Sequence, residues 1–201
     1  MLVLRDIGGE PLHAFLRRHR DLPRLARLEL ALKICDALAA VHAAGVVHRD
    51  IKPANIILHD DGARVQLIDF SAPPAGEGTL QYMSPEQTGR TGRAVDPRSD
   101  YYSLGATLYE LLTGRPPFDS DDPLELVHAH LARVPTPPAA LEPDLGDTLS
   151  QLVLRLLEKS PEARYQSLAG LHHDLARARD AVARGERPDF PLAARDRRPG
   201  L

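Results

Sequence analysis

Residues 46–71 read VVHRDIKPANIILHDDGARVQLIDFS, and the fold turns on this stretch. Two short apolar runs, ANIILHD (54–60) and RVQLID (64–69), flank Asp61-Gly62. An Asp-Gly pair between such runs predicts a β-hairpin, because glycine takes the positive φ that a tight turn requires. Asp60 and Asp61 are accordingly read as turn residues, not metal ligands. Polar groups gather around the hairpin. Lysine occurs only at positions 33, 52 and 159, and Lys52 falls inside the stretch beside Asp50 and Asn55, while Asp69 closes the second run. Two carboxylates, an amide and an ammonium around one hairpin suit phosphoryl transfer. That chemistry needs hard oxygen donors for Mg²⁺, a carboxylate to orient a hydroxyl, and a cation near the transferred group.

Outward from the hairpin the chain reads as helical. MLVL at the start resembles a buried strand end, and DIGG turns the chain. PLHAFLRRHR predicts a short helix with Pro11 near its first turn. PRLARLELALKICDALAAVHAAG predicts a longer one, with Leu25, Leu28, Leu32, Cys35, Ala39 and His42 on one face and Gly45 as its stop. Downstream, SAPPAGEGTL (71–80) is loop-like. SDYYSLGATLYELLTG is a strongly apolar helix closed by Gly114, DPLELVHAHLAR a further one, and TPPAALEPDL an extended connector. DTLSQLVLRLLEKSP and SLAGLHHDLARARDAVARG predict two amphipathic helices. His128 and His130 are two apart on a helix and are expected at the surface; His172 and His173 show no evident partner. The sum is a mostly α domain with one small β-hairpin, an α+β arrangement.

Composition narrows the function. The chain has 201 residues, 43% hydrophobic and 26% charged, with a net charge of -3. This is an ordinary soluble composition and argues against nucleic acid as the main partner. The arginines at 195, 197 and 198 read as a solvated tail. No stretch has the length of a membrane span or the pattern of a signal peptide, so a cytoplasmic protein is expected. Cys35 is the only cysteine, which excludes an intrachain disulfide, and its apolar setting predicts an inert buried thiol.

The spacing His48-Arg49-Asp50, Lys52, Asn55, then Asp69-Phe70 nineteen residues after Asp50, resembles the eukaryotic-type protein kinases in their bacterial Ser/Thr branch. GTLQYMSPE (78–86) is similar to the end of an activation segment, SDYYSLGATLYELLTGRPPF to the central helix of the large lobe, and KSPEARY to the last conserved element. The resemblance covers roughly residues 1–183, with 1–9 like a remnant of the interlobe hinge and 184–201 a Pro/Arg-rich tail or linker. It implies a kinase-like large lobe that transfers a phosphoryl group from Mg-ATP to a Ser/Thr hydroxyl of a protein. By position, Asp50 would orient the substrate hydroxyl and Lys52 would steady the γ-phosphate. Asn55 and Asp69 would hold Mg²⁺, and Thr79 would bond to Asp50 and Lys52. Leu4, Asp6, Ile7 and Ile57 would meet adenine. His48 and Phe70 would stack in the core beneath the site, anchored by Asp100, while Arg49 would pair with a phosphate or backbone groups. Glu86 would form a buried ion pair with Arg164.

The sequence departs from the family in several places. It contains no G-x-G-x-x-G, so the small lobe with its Gly-rich loop, strand lysine and helix glutamate is not expected within these residues. Ser71 stands where the family has glycine after Asp-Phe, Arg5 stands where relatives often carry an acid, and the segment from Ser71 to Thr79 is short. The stretch 78–118 and the DFPLAARD tail resemble kinase domains at the front of bacterial hybrids that also carry an AAA-type ATPase and a sensor histidine kinase. Three expectations follow: an N-terminally truncated kinase domain, a non-catalytic pseudokinase-like binding module or gene fragment, and one half of a split kinase with its small lobe on another chain.

Overall fold

The structure is a computed structural model and describes residues 8–70 and 80–197. Leu4, Asp6, Ile7, Ser71 and Thr79, with the expected N-terminal strand and most of the short activation segment, lie outside these residues.

The predicted hairpin forms. Strand β2 (Ile56–His59) pairs antiparallel with β3 (Arg64–Leu67), Ile56 opposite Leu67 and His59 opposite Arg64. The turn is longer than a two-residue one: Asp60, Asp61 and Gly62 all take positive φ, and Asp60 accepts a hydrogen bond from Arg64 at 2.9 Å. A strand at Glu10–Pro11 was not expected. Glu10–Pro11 (β1) pairs with β2 on the other side. Gly9 permits this approach, because a Cβ there would lie 2.7 Å from Ile57 Cγ2 and 2.8 Å from the Leu58 carbonyl oxygen.

Helix α1 (Leu12–Arg18) starts directly after Pro11. Helix α2 (Arg24–Ala43) runs to the Gly45 stop, where Gly45 N–H donates to the His42 carbonyl at 2.9 Å. The expected stripe on α2 is too narrow. Leu28, Leu30, Ala31, Leu32, Ile34, Cys35 and Leu38 are buried, whereas Leu25, Ala39 and His42 are only half-buried. The helix has neighbours on several sides, α7 (Leu168–Ala183) and β3 among them, so no single face carries its apolar residues.

Helix α3 (Pro97–Thr113) crosses the centre of the molecule. Asp96 caps it by accepting from Arg98 N–H, Ser99 returns a bond to the Asp96 backbone, and Gly114 ends it in the left-handed region. Nearly every residue from Ser99 to Leu112 is buried, as an apolar helix at the centre of a domain requires. Helices α4 (Pro123–Ala132) and α6 (Gly146–Leu156) follow as predicted. The connector between them is not extended. It forms α5 (Pro138–Leu141) and a 3-10 turn at Pro143–Leu145, each opened by a proline at its first helical position, where the missing N–H has no intrahelical partner to lose.

The C-terminal tail is docked where a loose segment was expected. Asp196 accepts from Gln166 N–H, Ser167 N–H and the Ser167 hydroxyl at 2.7, 2.8 and 2.9 Å, and Asp174 accepts from Ala193 N–H at 2.6 Å. The Arg177 guanidinium lies 4.1 Å from the Phe190 ring centroid. A tail carboxylate on the amides that open α7, and an α7 carboxylate on a tail amide, supply what the tail's composition does not advertise. Among the described residues, no helix is long and apolar enough to cross a membrane.

Candidate active site

The site is built on Asp100, in the first turn of α3. Its carboxylate is fully buried and accepts from the backbone N–H groups of His48 and Arg49 at 2.8 and 2.7 Å. His42 Nε2 lies 2.7 Å from the same carboxylate. The anchoring role expected of Asp100 is thus present in the geometry, and His42 joins it. Sequence reasoning placed His42 only on the α2 stripe, since its contact with Asp100 spans 58 residues. The anchor holds Arg49 at φ 69°, a backbone state that non-glycine residues rarely adopt without support. The Arg49 carbonyl accepts from Gln87 Nε2 at 2.6 Å, a further contact absent from the sequence reading. Arg49 therefore meets two side chains, Asp100 and Gln87, through its main chain, where backbone or phosphate partners were expected.

This bend delivers Asp50 into a buried position, 4% exposed. Lys52 Nζ lies 2.8 Å from Asp50 Oδ2, and Asn55 Nδ2 donates to the same oxygen at 2.7 Å and to the Asp50 carbonyl at 2.9 Å. A 3-10 turn at Pro53–Asn55 brings Asn55 back over Asp50. Both side-chain contacts converge on Oδ2. No described residue hydrogen-bonds to Oδ1, which leaves that oxygen as an acceptor for a hydroxyl.

Asp69 is tied to the same loop through the sheet. Ile68 N–H donates to the Asn55 carbonyl at 3.0 Å, so the end of β3 and the Asn55 turn move as one piece. Asp69 has φ 62°, and its left-handed backbone turns the chain out of the strand. Asn55 directs its amide nitrogen at Asp50, which leaves its amide oxygen as a donor atom beside the Asp69 carboxylate's segment. Among the described residues no cluster of three or more His, Cys, Asp or Glu side chains could hold a metal. An amide oxygen and a carboxylate at the two ends of one hairpin are the donor types that suit Mg²⁺, which is commonly bound by one or two carboxylates with substrate phosphates and water completing its shell.

His48 is fully buried and stacks with Phe70 at 4.7 Å between centroids, as expected. Burial pushes its pKa down, against the raising effects of Asp100 and Asp50, so the ring is neutral at pH 7. Its Nδ1 lies 3.3 Å from Asp50 N–H. Phe70 departs from the expectation of a core position, since it is 50% exposed. Ile57 is buried at 6% exposure on β2.

Glu86 and Arg164 form the expected buried pair. Arg164 Nη1 and Nη2 donate to Oε1 and Oε2 at 2.6 and 2.9 Å. The rest of the guanidinium is satisfied by the carbonyls of Glu158, Arg98 and Lys159, and Ser99 Oγ donates to Glu86 Oε1 at 2.8 Å. Burial alone would raise the Glu86 pKa, but the Arg164 bonds and charge with the Ser99 hydroxyl leave it below its ordinary value.

Two histidine expectations are corrected. His130 is 1% exposed, not a surface residue. Its Nδ1 lies 2.9 Å from the Tyr102 hydroxyl, and Phe118 packs edge-on against its ring. Burial, with the nearby Lys159 charge, pushes its pKa down to about 4. The two-residue spacing does place His128 and His130 on different faces, but the face of His130 turns inward. His172 does have a partner, Asp36 at 3.3 Å.

A polar loop gripped by a buried aspartate at the start of a central helix, with a hairpin carrying Asn55 and Asp69, defines a protein kinase large lobe. The chain belongs to the protein kinase domain family, whose pattern it matches over residues 1–176. Its relatives include the serine/threonine-protein kinase PknB of Mycobacterium tuberculosis, 37% identical over 208 residues that take in 97% of this chain and 32% of that protein. PknB of Mycolicibacterium smegmatis is 39% identical over 210 residues, with the same two coverages. A probable serine/threonine-protein kinase of Streptomyces coelicolor is 39% identical over 187 residues, covering 87% of this chain and 27% of that one. The chain thus spans about a third of the length of these relatives. Among solved structures, Rad53 in complex with AMP-PNP matches with a TM-score of 0.69 and 25% identity, over 84% of this chain and 44% of that one.

Proposed function

We propose that this chain is the large lobe of an ATP-dependent protein serine/threonine kinase. The observation that carries the proposal is the Asp50 carboxylate, with Lys52 and Asn55 both on Oδ2 and no described residue bonded to Oδ1. In this reading the substrate hydroxyl oxygen bonds to the γ-phosphorus as the bond to the departing ADP oxygen breaks. The hydroxyl proton passes to Asp50 Oδ1. Lys52 Nζ, positioned by Asp50, is the cation at the transferred group. Asn55 and Asp69 would hold Mg²⁺, and Ile57 would pack against the adenine. Bound Mg²⁺ would supply charge neutralisation on the phosphate oxygens. Most of the catalytic effect then comes from positioning and preorganised charge. A second reading, a non-catalytic binding module, has the half-exposed Phe70 in its favour.

Thermal unfolding with and without millimolar Mg-ATP, beside an Asp69→Ala control, tests the proposal. A ligand at a hundredfold excess over Kd adds about 2.7 kcal/mol. For a chain of this size that raises Tm by about 5–10 °C. The shift is expected in the parent chain and absent in the control. No shift in a cooperatively folded sample sinks the nucleotide site and favours the binding module.

A further inference from the structure

Beside the catalytic loop, α1, α2 and the C-terminal end of α3 enclose a cavity of about 490 Å³. Its polar lining is strongly biased in charge: His13, Arg17, His19, Arg20 and Arg27 face it, against the one carboxylate of Glu110. These groups are not equivalent. Arg27 is structural, since its guanidinium donates to the carbonyls of Leu22, Leu112 and Arg20 at 2.9, 2.9 and 3.1 Å. Arg17 and Arg20 are exposed, and neither guanidinium makes a hydrogen bond or ion pair among the described residues. His13 Nδ1 and His19 Nε2 are buried atoms with no hydrogen-bond partner among the described residues. Glu110 accepts from the Tyr82 hydroxyl and feels the charges of His13 and Arg17, without a direct ion pair to Arg17 or Arg20 among the described residues.

The cavity is close to the candidate chemistry. Tyr82 sits in the same small group of residues as Asp50, and its hydroxyl reaches Glu110 in the wall of the basic cavity. One side chain therefore bridges the two. Charges grouped at one end of a cleft select partners of opposite sign and speed their encounter more than they raise affinity.

We propose that this cavity is a substrate subsite that receives an anionic side chain, carboxylate or phosphate, lying a few residues from the acceptor hydroxyl in the protein substrate. Arg17 and Arg20 contact the anion from the rim, and the orphaned histidine nitrogens lie behind them. The proposal rests on Asp50 marking the acceptor position, so it is tested by binding without nucleotide, which can succeed or fail independently of the Mg-ATP shift. The probes are short fluorescein-labelled peptides with one threonine flanked by aspartates, by asparagines, or by one phosphoserine among asparagines, read by fluorescence anisotropy. The aspartate or phosphoserine peptide is expected to bind about five- to tenfold tighter than the asparagine peptide, with the difference shrinking as salt is raised. The Arg17→Gln/Arg20→Gln double variant is expected to abolish the preference, whereas Arg184→Gln/Arg187→Gln, an equal loss of charge at exposed positions elsewhere, keeps it. Tighter binding of the phosphoserine peptide assigns the subsite to a phosphorylated side chain, and tighter binding of the aspartate peptide to a carboxylate. Equal binding of all three peptides, no binding of any, or a preference that survives in the Arg17/Arg20 variant overturns the proposal.

Discussion

Replacing Glu86 by glutamine tests whether the Glu86–Arg164 pair ties the activation-segment end to the C-terminal helices. Both side chains are sealed from solvent, with relative exposures of 1% and 0%. Glutamine keeps the shape and one acceptor oxygen but removes the charge and turns an amide N–H toward a guanidinium N–H. Arg164 then remains buried with three carbonyls and no counter-charge. Breaking a buried pair from one side costs about 3–5 kcal/mol. That is a large part of a typical total of about 5–15 kcal/mol and lowers Tm by about 6–20 °C. Urea denaturation of the parent, Glu86→Gln, Arg164→Met and the double variant measures it. The double variant should be less destabilised than the sum of the singles by about 1–3 kcal/mol, since it leaves no stranded charge. The pH dependence follows with a definite sign. The folded pKa of Glu86 lies below its ordinary 4.5, so the pair's stabilisation is complete above that value and fades as pH falls through the depressed one. A cost below about 1 kcal/mol for Glu86→Gln, or strict additivity in the cycle, would refute the reasoning.

Two further outcomes are expected. A Cβ at Gly170 would lie 2.6 Å from Asp196 Oδ1 and 2.7 Å from its Cα, so Gly170→Ala should release the tail. The measurement is limited proteolysis, with cleavage between Phe190 and Arg197 faster than in the parent and α7 itself intact; unchanged cleavage contradicts the docking. Cys35 is 1% exposed and burial pushes its pKa up to about 12, so a thiol reagent at pH 8 should label it only after denaturant is added. Prompt labelling of the native chain would show that α2 opens locally.

The parts of this protein legible from sequence are those whose causes are local. Asp61-Gly62 announces the hairpin because a positive φ is needed at that point of the chain. Gly114 announces the end of α3 because a helix terminus must satisfy its own carbonyls. Asp50, Lys52 and Asn55 lie within six residues, so a single 3-10 turn is enough to converge them. The pairing of Glu86 with Arg164 and the grip of Asp100 were reached through family resemblance, not through spacing, because each contact spans more than fifty residues. The residues that went unread are of the same long-range kind: His42 on Asp100, Gln87 on the Arg49 carbonyl, and Asp196 on the α7 cap.

Burial followed the same division. Helical period says which residues share a face but not how many neighbours the helix will have. Thus α2, read with one apolar stripe, is buried on several sides, and His130 faces the core beside Tyr102 and Phe118. The sequence by itself determined the main helices and the hairpin, their order, the turn chemistry and the cluster of polar groups at Asp50, Lys52 and Asn55. Tertiary structure alone decided which oxygen of Asp50 takes both Lys52 and Asn55, why Arg49 can hold a strained backbone, and where five basic side chains meet around one cavity. The reason is that propensity and capping act within a few residues. Charge, burial and hydrogen-bond satisfaction are settled by whatever the folded chain brings alongside.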